Sequence, residues 1–206
     1  MSAVTDAAVL NVTVVAPAAD AFETVFPCDQ PVPTASNVNY RAGVDIANTA
    51  IVKLNPDGKA CIYTFAATHL VVDVNAYVPA GSDVTPLSPA RLADSRDGNP
   101  TIDGQHQGFG YQPAGSITEI QITGRGGVPT NAAAALLNVT AVRPDATGYL
   151  TVYACDDPRP LASNVNYFAG GIEPNAVLAK LSATGTICIY THATSGMIVD
   201  VNGHTT

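Results

Sequence analysis

Tryptophan is absent from this 206-residue chain, methionine occurs only twice, and charged residues make up 13% of it. Lys, Glu and Gln are scarce as well. These are the residues that lose least entropy in a helix, so the composition speaks for strands and turns. Basic charge is also lacking: the net charge is −8, divided as −4 over residues 1–78, −2 over 79–128 and −2 over 129–206. No part of the chain offers the positive field that a phosphate backbone or an anionic lipid surface attracts, which excludes nucleic acid as a partner. Long apolar runs are missing too. The stretch His69 to Val78 is broken by Asp73 and Asn75, so no transmembrane helix and no membrane insertion are expected. Met1-Ser2 runs straight into strand-like sequence without the basic and apolar regions of a secretory signal. A secreted chain would have lost its signal or be a piece of something longer.

The signatures of catalysis are absent as well. There is no Gly-x-Ser-x-Gly elbow, no H-E-x-x-H and no phosphate loop, and the acid pair Asp156-Asp157 sits in a Pro-rich turn. The chain is expected not to be an enzyme and to carry no cofactor beyond a structural calcium ion, considered below.

What is present is a repeat. Shifting the chain by 127 residues lays 1–78 on 128–205 without a gap, with roughly half of the positions identical. Leu10-Asn11-Val12-Thr13 falls on Leu137-Asn138-Val139-Thr140, and Ser36-Asn37-Val38-Asn39-Tyr40 on Ser163-Asn164-Val165-Asn166-Tyr167. Cys61-Ile62-Tyr63-Thr64 returns as Cys188-Ile189-Tyr190-Thr191, and Val72-Asp73-Val74-Asn75 as Val199-Asp200-Val201-Asn202. The expected organisation is a partial module, 1–78, followed by a full one, 79–206. The full module comprises an intervening segment, 79–127, and the second repeat, 128–206. One intervening segment serves two repeats.

Within each repeat apolar and polar residues alternate, as in Leu10, Val12 and Val14 against Asn11 and Thr13. Pro, Gly and Asp turns break the strands. Strands are expected near 7–15, 21–27, 36–41, 48–54, 59–64 and 70–77, with two or three more in the intervening segment, the clearest at Ile117 to Thr123. The Ala-rich run Asn131 to Leu137 is expected as a loop entering a strand. Short strands at this spacing predict an all-β, antiparallel β-sandwich or jelly-roll-like fold in two repeated modules.

The four cysteines repeat with the rest: Cys28 to Cys61 and Cys155 to Cys188 each span 33 positions. The duplicated spacing favours one disulfide inside each repeat and an oxidising compartment. Four buried free thiols are the competing reading. Zinc is disfavoured, because there is no CxxC pair and His69, His106, His192 and His204 do not repeat.

From Val84-Thr85-Pro86-Leu87-Ser88-Pro89-Ala90-Arg91-Leu92-Ala93-Asp94-Ser95-Arg96-Asp97-Gly98 through Gly124-Arg125-Gly126-Gly127-Val128-Pro129 and Gly148-Tyr149-Leu150-Thr151-Val152-Tyr153 to Val199-Asp200-Val201-Asn202-Gly203, the chain resembles a β-rich repeat module of secreted actinobacterial proteins. The resemblance covers 84–206, with 1–78 as a second, partial copy. It implies an extracellular accessory module, often in tandem or appended to secreted hydrolases. Such modules run segment then repeat, whereas here the first repeat has no segment before it.

Three groups of residues are candidate sites. Asp94, Asp97, Asn99 and Asp103 carry carboxylates and an amide at a spacing calcium can use, but without the full EF-hand pattern. The competing reading pairs Arg91 or Arg96 with Asp94 or Asp97 to pin a turn. Asn37, Asn39, Asn164 and Asn166, with Asp73, Asn75, Asp200 and Asn202, would form a hydrogen-bonding strip for a glycan or else satisfy neighbouring backbone. The aromatic residues that recur, Phe22 with Tyr149, Phe26 with Tyr153, Tyr40 with Tyr167 and Tyr63 with Tyr190, are expected to pack in the core or on a sheet face.

The resulting expectation is a secreted, non-catalytic structural or attachment module acting on other copies of itself or on a cell-envelope or glycan surface. Its alternative is a carbohydrate-binding accessory module of a secreted hydrolase. A repeat without its segment has an incomplete sheet edge, which points to a homo-oligomer or filament.

Overall fold

Alternation becomes strand along most of the chain. The computed structural model describes residues 5–206, and among them there are fourteen strands and no helix. The first repeat supplies β1 (Thr5–Val15), β2 (Ala21–Pro27), β3 (Val38–Tyr40), β4 (Ile46–Lys53), β5 (Ala60–Thr64) and β6 (His69–Pro79). The intervening segment supplies β7 (Val84–Asp94) and β8 (Ile117–Gln121). The second repeat supplies β9 (Ala134–Val142), β10 (Gly148–Ala154), β11 (Val165–Tyr167), β12 (Ile172–Lys180), β13 (Thr186–Thr191) and β14 (Gly196–Thr205).

The strands form four antiparallel sheets, ordered β4-β1-β6, β3-β2-β5, β12-β9-β14-β7 and β11-β10-β13-β8. They pack as β-sandwiches. Leu10, Val12, Ala50 and Val52 of one sheet meet Val25 of the other in the first repeat. Leu137, Val139, Val199 and Val201 meet Leu150, Ile187 and Ile189 in the second. β7 pairs with β14 and β8 with β13, so the intervening segment adds one strand to each sheet of the second repeat. Among the described residues the first repeat has no such addition, and each of its sheets has three strands.

Local departures from the expected strands have physical causes. β3 starts at Val38 because Ser36 and Asn37 are engaged in hydrogen bonds described below. β8 stops at Gln121 because the N–H groups of Ile122 and Thr123 both turn to the Gly185 carbonyl. Gly185 sits at φ 77° with no room for a side chain against Thr123, so glycine is required at this turn. β9 begins inside the Ala-rich run, at Ala134.

Both disulfides are formed within their repeats. Cys28–Cys61 joins the end of β2 to β5, Cys155–Cys188 joins the end of β10 to β13, and the Cα atoms are 4.9 Å apart in each. In the chain-entropy estimate each contributes about 4 kcal/mol by constraining the unfolded chain.

Candidate functional site

β4 of the first repeat lies near the outer face of sheet β12-β9-β14-β7, and the contact is polar and buried. The Asn138 side chain donates to the Ser36 carbonyl at 2.6 Å. Asn48 donates to the Asn37 carbonyl at 2.7 Å and to Asn138 Oδ1 at 2.9 Å, and its own Oδ1 accepts from the Ala176 N–H at 3.3 Å. The Ser36 N–H donates to Asp200 Oδ2 at 3.0 Å.

Asp200 is the centre of a buried charge network built by strand register. Pairing of β7 with β14 puts Arg91 opposite Asp200. The guanidinium then donates through Nε to Oδ1 at 2.9 Å and through Nη2 to Oδ2 at 3.1 Å. Arg91 Nη1 also reaches Asp94 Oδ2 at 3.0 Å, and Arg96 holds the same carboxylate through Nε at 3.0 Å and Nη2 at 2.8 Å. Burial opposes the Arg91 charge, yet Asp200 and Asp94 outweigh it and hold its pKa above the ordinary value. Removing one member would strand a buried charge, at a cost of about 3–5 kcal/mol. The network therefore ties the intervening segment to the second repeat and, through Ser36, to the first.

Beside it opens a cleft of about 490 Å³ between the two repeats, lined by Phe22, Tyr63 and Phe65 on one side and Arg91, Arg96 and Asn99 on the other. Phe22 and Phe65 stack with centroids 5.5 Å apart. The second repeat has its own cleft at the equivalent place, about 330 Å³, lined by Tyr149, Arg159, Leu161, Ser163 and Asn166. There Tyr149 stacks on His192 at 4.8 Å, and Arg159 lies 3.8 Å from the Tyr190 ring centroid. Among the described residues the second cleft is lined by its own repeat alone, whereas Arg91 and Arg96 of the intervening segment line the first.

The four asparagines divide into two pairs. Asn37 Oδ1 accepts from the Val25 N–H and Asn164 Oδ1 from the Val152 N–H, both at 2.7 Å, so these two hold strands together. Asn39 and Asn166 line the clefts.

The calcium candidates do not gather around one point. Asp94 is occupied by two arginines and Asp103 by Arg125, which donates to it at 2.7 and 2.8 Å and holds its carboxyl down to about 2. Asp97 is exposed, and its carbonyl accepts from the Asn99 side chain at 3.1 Å. Among the described residues no three His, Cys, Asp or Glu side chains form a metal-binding group.

Sequence reasoning missed three features. The Arg91–Asp200 pair joins residues 109 positions apart, and only the recurrence of Asp200 at Asp73 signalled that this position matters. Arg125 as the lock on the loop carried no signal. Glu23 is fully buried, neither carboxylate oxygen has a hydrogen-bond partner, and burial pushes its pKa up to about 8; its repeat counterpart, Leu150, was the available clue. Compared with family models, curated proteins and solved structures, the chain matches none.

Proposed function

We propose that this chain is a non-catalytic extracellular structural module that works by protein–protein contact. The observation that carries the reading is the asymmetry of the contact between the repeats. Ser36 and Asn48 of the first repeat meet Asn138 and Asp200 of the second, while of their counterparts Ser163, Asn175 and Asp73 are exposed and Asn11 is half-buried. A contact that uses different patches on two like units leaves one patch of each kind open, and such patches join further copies head to tail. The two disulfides favour an oxidising setting.

The test is sedimentation equilibrium of the whole chain over a range of concentrations. The expected mass rises above 21.1 kDa with concentration, and Ser163→Lys, at an exposed position, lowers the association. A constant monomer mass, or association indifferent to that substitution, overturns the reading.

A second reading, a carbohydrate-binding accessory module, is favoured by the Phe22–Phe65 stack beside Asn39 and Arg96, since apolar sugar faces pack on aromatic rings. Glycan-array binding that disappears in Phe65→Ala would select it.

A further inference from the structure

β6 and β14 are the same strand in two repeats, and their environments are opposite. Val199 and Val201 are 0% exposed, while Val72 and Val74, at the equivalent positions, are 44% and 72% exposed. Leu70, Val71 and Tyr77 are exposed as well, whereas Met197, Ile198 and His204 are buried. The difference lies in β7, which pairs with β14 over Ile198 to Thr205 and brings Ala90, Leu92 and Ala93 into the core of the second repeat. Among the described residues β6 has a strand only on its β1 side. Its other edge carries free backbone donors and acceptors next to a row of valines, a surface that soluble proteins normally cover.

One side chain on that edge indicates what covers it. Asp200, the partner of Arg91, has Asp73 as its counterpart. Asp73 is exposed, and among the described residues it makes no ion pair. A strand laid on β6 in the register of β7 on β14 would place a small residue at Val74, an arginine at Asp73, a small residue at Val72 and an aspartate at Val71.

We propose that β6 is an acceptor for an arginine-bearing β-strand of another polypeptide, of the type Ala90-Arg91-Leu92-Ala93-Asp94. This deepens the protein-contact reading above and rests on it. A second copy of this chain is not the occupant, because among the described residues its only such strand is β7, which completes its own second repeat. Backbone pairing supplies affinity, the Arg–Asp73 pair supplies register, and small residues beside the arginine let the strand close over Val72 and Val74.

The stretch of β6 open to close pairing is shorter than that of β14. Gly203 and Gly196 lie where a side chain would meet the Thr85 carbonyl and Ser95 Oγ, at 2.9 and 2.8 Å, and the first repeat has Ala76 and His69 there. Close pairing is thereby confined to the stretch between them, centred on Val71 to Val74, and the contact is weaker and more reversible than that of β7.

The probe is a labelled synthetic peptide with the sequence of residues 79–127, added to the whole chain at a concentration below its self-association. Saturable binding is expected, with new amide protection along β6 and none gained along β14. Asp73→Arg should weaken binding about tenfold or more, and an Arg91→Asp peptide should restore it. Asp73 is exposed on a free edge, so the variant folds. No binding, binding indifferent to Asp73, or protection gained at β14 in place of β6 overturns the proposal. So does protection of β6 that rises with protein concentration alone, which would make a second copy the occupant. A chain that self-associates yet ignores the peptide would retain the protein-contact reading and lose this one.

Discussion

Glu23 and Leu150 occupy equivalent strand positions, and the exchange puts a carboxylate without a hydrogen-bond partner into the first repeat's core. Burial raises its pKa from 4.5 to about 8, so the native state keeps a proton that the unfolded chain has released between those values. Stability contributed at this position is therefore full below about pH 4.5, falls as pH rises to about 8 and is constant beyond, a loss of roughly 4–5 kcal/mol in all. Urea unfolding followed by a probe in the first repeat should show its midpoint dropping across that window. Glu23→Leu should remove the drop and raise stability at pH 8. A wild-type midpoint independent of pH would contradict the burial argument.

Strands with clean alternation were readable from the sequence, because one face of each meets a core and the other does not. β1, with Leu10, Val12 and Val14 buried and Asn11 and Thr13 less so, is of this kind. β7 was not readable. Pro86 and Pro89 cannot donate to a ladder and demote a run to an edge, which is where β7 lies. Since β7 carries Arg91, its pairing with Asp200 was hidden along with it, whereas the pairs of Arg91 and Arg96 with Asp94 were legible from the charges of the loop itself. The disulfides were readable from duplicated spacing, and each fastens one edge of a central strand: β2 to β5 and β10 to β13. Among the described residues β5 has no outer neighbour in the first repeat, whereas β13 has β8 in the second. Cys61→Ser should therefore cost about 2–5 kcal/mol, and hydrogen exchange should speed up in β2 and β5 while β10 and β13 keep their protection. Equal loss in both repeats would show that they unfold as one unit.

At the scale of the molecule, the two repeats are related by a contact that is not its own mirror: what the first offers, the second receives. The intervening segment takes part in both halves of that arrangement, completing the second repeat's sheets with β7 and β8 and presenting Arg91 and Arg96 to the first repeat's cleft. The described fold thus has a direction, with β6 uncovered in the first repeat and the Tyr149–Leu161 cleft open in the second. The disulfides add a mechanical consequence. Each closes a loop with a sequence separation of 33, and a closed loop cannot lengthen when the chain is pulled from its ends. At about 3.4 Å per residue each bond withholds roughly 110 Å of contour. In single-molecule extension the oxidised chain should stop about 220 Å short of its reduced length, in two equal parts of about 110 Å released one at a time as reductant cuts each bond. A tether built from such units would give under load only to a fixed limit, set by chemistry and independent of how far its sheets have come apart.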